Sequence, residues 1–272
     1  NAFPPRRHVT RGIYRLTSHP IYIGFSLLCI GVAIALQSPS GLWLVSPIVM
    51  LGCVALVQGL EKQDIANRFG SRLPKPILSL PLHEERTPNM VERISVYCLV
   101  LLPWLVLYKL VATLGIPADA IVVYLPFEKR IPVYEWTELF YGGTYLFVFL
   151  VPLVATSARS LREFSIAGLI ATGLVILMFV VLPFTAPPRE FVPHSALGQL
   201  IMWERRHDTL AAAFPSFHVI WAVLAARVYA RSFPALRAFW WLCALLISVS
   251  CVTTGKHAIA DVLSGALVAW MV

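Results

Sequence analysis

Charge is scarce in this chain. Only 13% of its 272 residues are Asp, Glu, Lys or Arg, against 58% that are hydrophobic, and the mean hydropathy is +0.75. An ordinary soluble domain carries charge on about a quarter of its residues, so that class is excluded. Cysteine is sparse as well. Cys29, Cys53, Cys98, Cys243 and Cys251 lie scattered through apolar runs with no Cys-x-x-Cys pair, which indicates neither a disulfide framework nor a zinc site. There is no internal repeat and no low-complexity tract. No cleavable leader is evident in the chain: Arg6, Arg7, Arg11 and Arg15 run directly into an apolar stretch of about 18 residues, which is expected to be kept as a span.

Apolar runs fill the chain instead. Crossing roughly 30 Å of hydrocarbon takes about 20 residues of helix, and runs near that length lie at 20–37, 41–60, 92–115, 139–156, 164–186, 215–230 and 238–252. An eighth begins at Ile259. Only 14 residues of it are present, which is short of a full crossing, and the chain starts at Asn1, so the sequence reads as a segment of a longer protein. The expected fold class is therefore all-α: a polytopic membrane protein with about eight transmembrane helices.

The formal net charge of +8 does not point to nucleic acid, because the basic residues collect in alternate loops rather than along one stripe. Residues 1–19, 61–91 and 157–163, with the turn around Arg231 and Arg237, hold most of them and are expected to be cytoplasmic. The loops at 38–40, 116–138, 187–213 and 253–258 then face the other way. Localisation in a bacterial inner (plasma) membrane is expected, with the lipid bilayer as the surroundings. The sequence leaves the oligomeric state open.

Ionisable groups at the edges of apolar helices are expensive to keep and mark a functional site. Two groups of them fall on that extracytoplasmic side. His257 and Asp261 are four residues apart at the start of the last helix and so share one face. A carboxylate that holds one imidazole nitrogen leaves the other free to attack, the arrangement of an oriented nucleophile or base. In Pro215-Ser216-Phe217-His218, Pro215 suits the first helical position, which places Ser216 and His218 in the first turn. Free backbone N–H groups there attract anions, and His218 could protonate a leaving oxygen. Arg189, at the end of the fifth span, and Lys256, beside His257, are placed to meet a phosphate group. No carboxylate-rich metal site accompanies them. Taken singly, each has a plainer reading: a buried His–Asp pair that staples helices, a capping serine, snorkelling cations. Residues 195–206 set Leu197, Leu200, Ile201 and Trp203 beside a charged end, as an interfacial helix, anchor or lid would.

From these motifs, residues 91–272 resemble the type 2 phosphatidic acid phosphatase superfamily of membrane phosphatases and phosphotransferases. That family has a six-helix core with a basic first motif, a Pro-Ser-x-His motif and a His-x-x-x-Asp motif, met here in that order. The resemblance implies His257 as the nucleophile forming a phosphohistidine, Asp261 as its orienting carboxylate, and His218 as the acid for the leaving group. It implies Arg189 and Ser216 as phosphate ligands and no cofactor or metal. Phe217 stands where the family has glycine, and Cys251 where an arginine usually follows Ser250. Lys256 is a candidate to replace that arginine. Pro187-Pro188-Arg189 with Pro-Ser-Phe-His looks more like the branch that includes inositol phosphorylceramide synthases. The implied substrate is a membrane lipid phosphate. Hydrolysis is the first expectation, and transfer of a head group to a hydroxyl the alternative. A scaffold or transporter is a third class, the transporter disfavoured because the charges cluster at one membrane face rather than at its midplane.

Residues 1–70 carry His19-Pro20-Ile21-Tyr22-Ile23-Gly24 and, after two spans, Glu61. This hairpin resembles the C-terminal half of the isoprenylcysteine carboxyl methyltransferase and phospholipid methyltransferase families, which implies His19, Tyr22, Gly24 and Glu61 as binding residues for S-adenosylmethionine. Ser18 and Lys62 depart from those families, and two spans cannot enclose a cofactor. The hairpin is either part of a larger methyltransferase or a membrane anchor. Residues 71–90, with Pro74, Pro76, Pro81 and Pro88 among charges, read as a cytoplasmic linker.

Overall fold

A computed structural model describes residues 11–69, 76–112, 120–182, 184–207 and 214–272. Among them the protein is helical, with one pair of two-residue strands. The chain divides into two compact units, Asn1–Ser79 and Leu80–Val272. The linker expected at 71–90 is thus split: 70–75 lie outside the described residues, and 80–89 belong to the second unit.

In the first unit, α1 (Pro20–Ala35) begins with a proline in its first turn, where a missing N–H costs nothing. The turn after it is closed by Ser38 Oγ, which accepts from the Gly41 backbone N–H at 3.1 Å. α2 (Gly41–Phe69) follows without a break and runs nine residues past the apolar stretch that announced it.

The second unit holds α3 (Met90–Val111), α4 (Glu138–Phe149), α5 (Val151–Val154), α6 (Ala158–Val181), α7 (Ala196–His207), α8 (Phe217–Ser232), α9 (Arg237–Thr253) and α10 (Ile259–Met271). Strand β1 (Ile121–Val122) pairs in parallel with β2 (Phe184–Thr185). Among the described residues, four helical stretches are long and apolar enough to cross a bilayer alone: α2, α3, α6 and Pro234–Thr253; α1 and α10 are shorter apolar helices. This is an integral, all-α, polytopic membrane protein.

Helix α8 is the centre of the second unit, packing against α4, α6, α9 and α10. Its buried Ala222 and Ala226 meet Ala244 and Ile247 of α9; the three alanines let the backbones approach where lipid offers no competing hydrophobic drive. On its other side the fully buried Trp221 fills the space left by Gly168 of α6, where a Cβ would lie 2.4 Å from the indole. Trp104 and Phe164 close around it, with centroids 4.9 and 5.4 Å away. Gly265 performs the same service for α10. A Cβ there would come within 2.7 Å of the Ser216 carbonyl oxygen, so glycine sets how closely α10 can approach the start of α8.

One end of this unit is tied by charge. Residues 80–89 lie along it: the backbone N–H groups of Ala158 and Arg159 donate to the carbonyls of Arg86 and Glu84, and Arg162 donates to the Pro81 carbonyl. Arg86 grips Glu92 with two bonds of 2.8 Å, and Glu92 closes a capping box with Asn89 at the start of α3. Arg159, Arg231 and Glu163 join the starts and ends of α6 and α8.

Candidate active site

The opposite end of the unit is built around the segment joining α9 to α10. Gly255 turns the chain with φ at +72°, a conformation that glycine adopts without steric cost. The His257 backbone N–H then donates to the Cys251 carbonyl at 3.0 Å, fixing the loop against the helix it leaves. Asp261, in the first turn of α10, is fully buried. Its Oδ2 accepts the Ala258 N–H at 2.9 Å and lies 3.1 Å from His257 Nδ1. A carboxylate in that position holds the proton on Nδ1 and leaves the lone pair on Nε2.

Helix α8 starts against the same turn. The Ser216 N–H donates to the Asp261 carbonyl at 3.0 Å, and the buried Ser216 hydroxyl lies 3.9 Å from Cys251 Sγ. Ser216 is the N-cap, so Pro215 stands ahead of the helix rather than at its first position, and only His218 of the expected pair falls inside the first turn. The Ser216 backbone is extended, with ψ at 115°, so the helix begins after it. The His218 ring lies 5.8 Å from that of His257, and its Nε2 has no hydrogen-bond partner. The Tyr141 ring of α4 stacks on His218 at 4.0 Å and stands 6.1 Å from His257, a wall that limits how either imidazole can turn.

Arg189 is brought to the same segment. Its backbone N–H donates to the Gly255 carbonyl at 3.0 Å, and its guanidinium donates to the carbonyls of Glu128, at 3.2 Å, and Val252. Glu128 is buried and accepts from the Leu125 and Ile259 backbones. Burial lowers the Arg189 pKa, and it pushes the neighbouring Tyr124 phenol up to about 12. Lys256 meets carboxylates: its Nζ lies 3.0 Å from both oxygens of Glu138, pairs with Glu204 of α7, and sits 4.0 Å over the Tyr141 ring. Among the described residues, no three His, Cys, Asp or Glu side chains come together as metal ligands.

His257, Asp261, Ser216, His218, Arg189 and Lys256 therefore gather at one end of the second unit. His19, Tyr22, Gly24 and Glu61 lie in the first unit, where His19 Nδ1 stands 3.3 Å from Glu61 Oε2 and the His19 and Tyr22 rings are 6.3 Å apart. Space is open around Gly24, with nothing within 4 Å of where a Cβ would be.

This order of motifs on these helices has counterparts. The family description of the PAP2 superfamily matches residues 96–272. The chain belongs to the PAP2 superfamily. Residues 3–72 match the description of the phospholipid methyltransferase family, to which the first unit is similar. No curated protein and no solved structure matches the chain. The PAP2 assignment carries lipid phosphatase or phosphotransferase chemistry to the second unit.

Glu138, Tyr141, Glu204 and Arg205 lie at the same end of the unit, against Lys256 and Thr254, and were not singled out by the sequence. A charge opening an apolar run, with an aromatic three residues on, is a faint signal for Glu138 and Tyr141. The Glu204–Lys256 pair, 52 residues apart, has none. Breaking it has a definite cost. Lys256→Met leaves Glu138 buried without its cation and is expected to destabilise the fold by about 3–5 kcal/mol, with Glu138→Gln in the same chain recovering most of it. Denaturant unfolding of the two variants checks this; equal stability of Lys256→Met and wild type would remove the pair from the account.

Proposed function

We propose that this protein cleaves the phosphate ester of a membrane lipid phosphate through a covalent intermediate on His257. The observation that carries the reading is the buried His257–Asp261 pair facing a second histidine, His218, across 5.8 Å. The Nε2 lone pair attacks phosphorus, the P–O bond to the lipid breaks, and the departing oxygen takes the proton held by His218. Asp261 stabilises the positive charge that develops on the His257 ring. Water then attacks phosphorus, giving its proton to His218, and the P–N bond breaks with its electron pair returning to His257 Nε2 as inorganic phosphate is released. An alcohol in place of water gives transfer by the same residues. Arg189 neutralises the equatorial oxygens, as a loose phosphoryl transition state requires.

The basic end of the unit, with Arg86, Arg93, Arg159, Arg162, Arg231 and Arg237, lies opposite the site, which supports a cytoplasmic basic end and an extracytoplasmic active site. The first unit serves as a membrane anchor. In it His19 Nδ1 and Glu61 Oε2 lie 3.3 Å apart, and open space surrounds Gly24.

The test is phosphate release from a panel of lipid phosphomonoesters by detergent-purified protein, with and without EDTA and with alcohol acceptors supplied. Release or transfer that persists in EDTA is expected. Silence across the panel would overturn the reading.

A further inference from the structure

We infer that Arg205 of α7 is a second phosphate-binding guanidinium, forming with Arg189 the anion clamp of this site. The inference rests on the phosphate reading above for its ligand, but the observations behind it are independent of the histidines.

Helix α7 is bound to the second unit at both ends. At its start, Glu135 accepts from the His194 backbone N–H at 2.7 Å and from the Ser195 hydroxyl; these bonds to the charged form lower the Glu135 pKa. Ile201 is fully buried under the helix, while Leu200 and Trp203 are exposed, as at a lipid interface. At its end, neighbouring residues diverge in role. Glu204 takes Lys256, and Arg205 turns to the catalytic segment, donating to the Arg189 carbonyl at 2.7 Å and to the Thr254 carbonyl at 2.9 Å. Its Cζ lies 4.8 Å over the Phe191 ring. Contact with the turn is close: a Cβ on Gly255 would sit 2.8 Å from Arg205 Nη2 and 3.4 Å from Arg189 Cβ.

The charge balance distinguishes the three cations. Lys256 already faces two carboxylates. Arg189 and Arg205 form no ion pair among the described residues; the structure gives them only backbone carbonyls, and the nearby Glu128 is held by backbone N–H groups. Nε of each guanidinium is buried with no partner. Burial lowers the pKa of Arg205; Tyr124 and Glu138 oppose this, and the charge of Arg189 adds to it. Two adjacent guanidiniums, always charged and in no direct ion pair among the described residues, with only the more distant Glu128 and Glu138 carboxylates to offset them, favour an added anion. Each still has free donors from a set of five in a planar fork, the geometry that binds phosphoryl oxygens in pairs. Cys251, buried in the same segment, brings no cation. Arg205 supplies it from another helix.

Detergent-purified full chain is titrated with inorganic phosphate and read by thermal shift for wild type, Arg205→Gln, Arg205→Lys and Arg206→Gln, and lipid-phosphate turnover is measured on the same preparations. Arg205→Gln is expected to weaken phosphate binding by about 10- to 100-fold, the size of a lost charge-assisted pair, and to raise KM. Arg205→Lys, which keeps the charge and a donor for the carbonyls but loses the fork, is expected to fall between the two; it carries the test if the glutamine variant does not fold. Arg206 is exposed, and Arg206→Gln should bind as wild type does. Unchanged phosphate affinity in Arg205→Gln or Arg205→Lys overturns the inference, even if turnover falls, because Arg205 would then only hold the 254–255 backbone. So does a wild type that binds no phosphate. Arg205-dependent binding without turnover of any lipid phosphate would leave the clamp standing and remove the reaction proposed above.

Discussion

Phosphate release is expected to fall by at least ~10⁴-fold in His257→Gln while the protein remains folded, because the covalent route loses its nucleophile. Glutamine is the informative replacement. Asp261 is fully buried, and among the described residues its Oδ2 is met by the Ala258 N–H and His257 Nδ1. Alanine at 257 would leave that carboxylate short of a donor and mix folding with chemistry. A glutamine amide still offers an N–H to Oδ2 but has no lone pair that attacks phosphorus. Turnover beside thermal unfolding of the same preparation separates the two effects. Residual turnover within tenfold of wild type, in a folded variant, would contradict a nucleophile at His257.

Asp261→Asn carries the second largest effect, a loss of about 10²–10⁴-fold, by analogy with carboxylates that orient a catalytic imidazole elsewhere. The amide oxygen can still accept from Ala258 and from Nδ1, so the loop geometry is retained. What disappears is the negative charge that offsets the imidazolium-like ring formed when Nε2 bonds to phosphorus. In the opposite flip, the amide NH₂ faces Nδ1 and forces the proton onto Nε2, which removes the attacking lone pair. Both outcomes lower kcat more than they change phosphate affinity. A variant that loses phosphate binding but keeps kcat would place Asp261 in ligand recognition instead.

The parts of this site that could be read from the sequence are those whose partners lie within one helical turn or at predictable ends of successive spans. His257 and Asp261 share a face because they are four apart, and Ser216, His218 and Arg189 share their end because consecutive spans reverse direction. Charges near a helix end were harder to place. Helix α6 begins at Ala158, six residues before the expected 164, because Ser157 caps it and Arg159, Arg162 and Glu163 make ion pairs and hydrogen bonds on residues 80–89 and α8 rather than lying in a loop. The run at 139–156 is two helices, α4 and α5, broken at Leu150 just ahead of Pro152. Residues 113–115 of the third expected span lie outside the described residues. Nothing in periodicity links Lys256 to Glu138, 118 residues away, or Arg205 to the carbonyl of Thr254. Those pairings arise only when the packed helices bring α4 and α7 to the turn at Gly255.

The central claim is a phosphoryl group carried covalently by His257, and a rapid quench of the purified protein with a lipid phosphate radiolabelled in its phosphoryl group tests it most directly. The account predicts an acid-labile, base-stable label on the peptide containing His257, formed before phosphate is released and missing in His257→Gln. Full turnover with no protein-bound label at any quench time would contradict it, and would assign the bond-breaking step to direct attack by water.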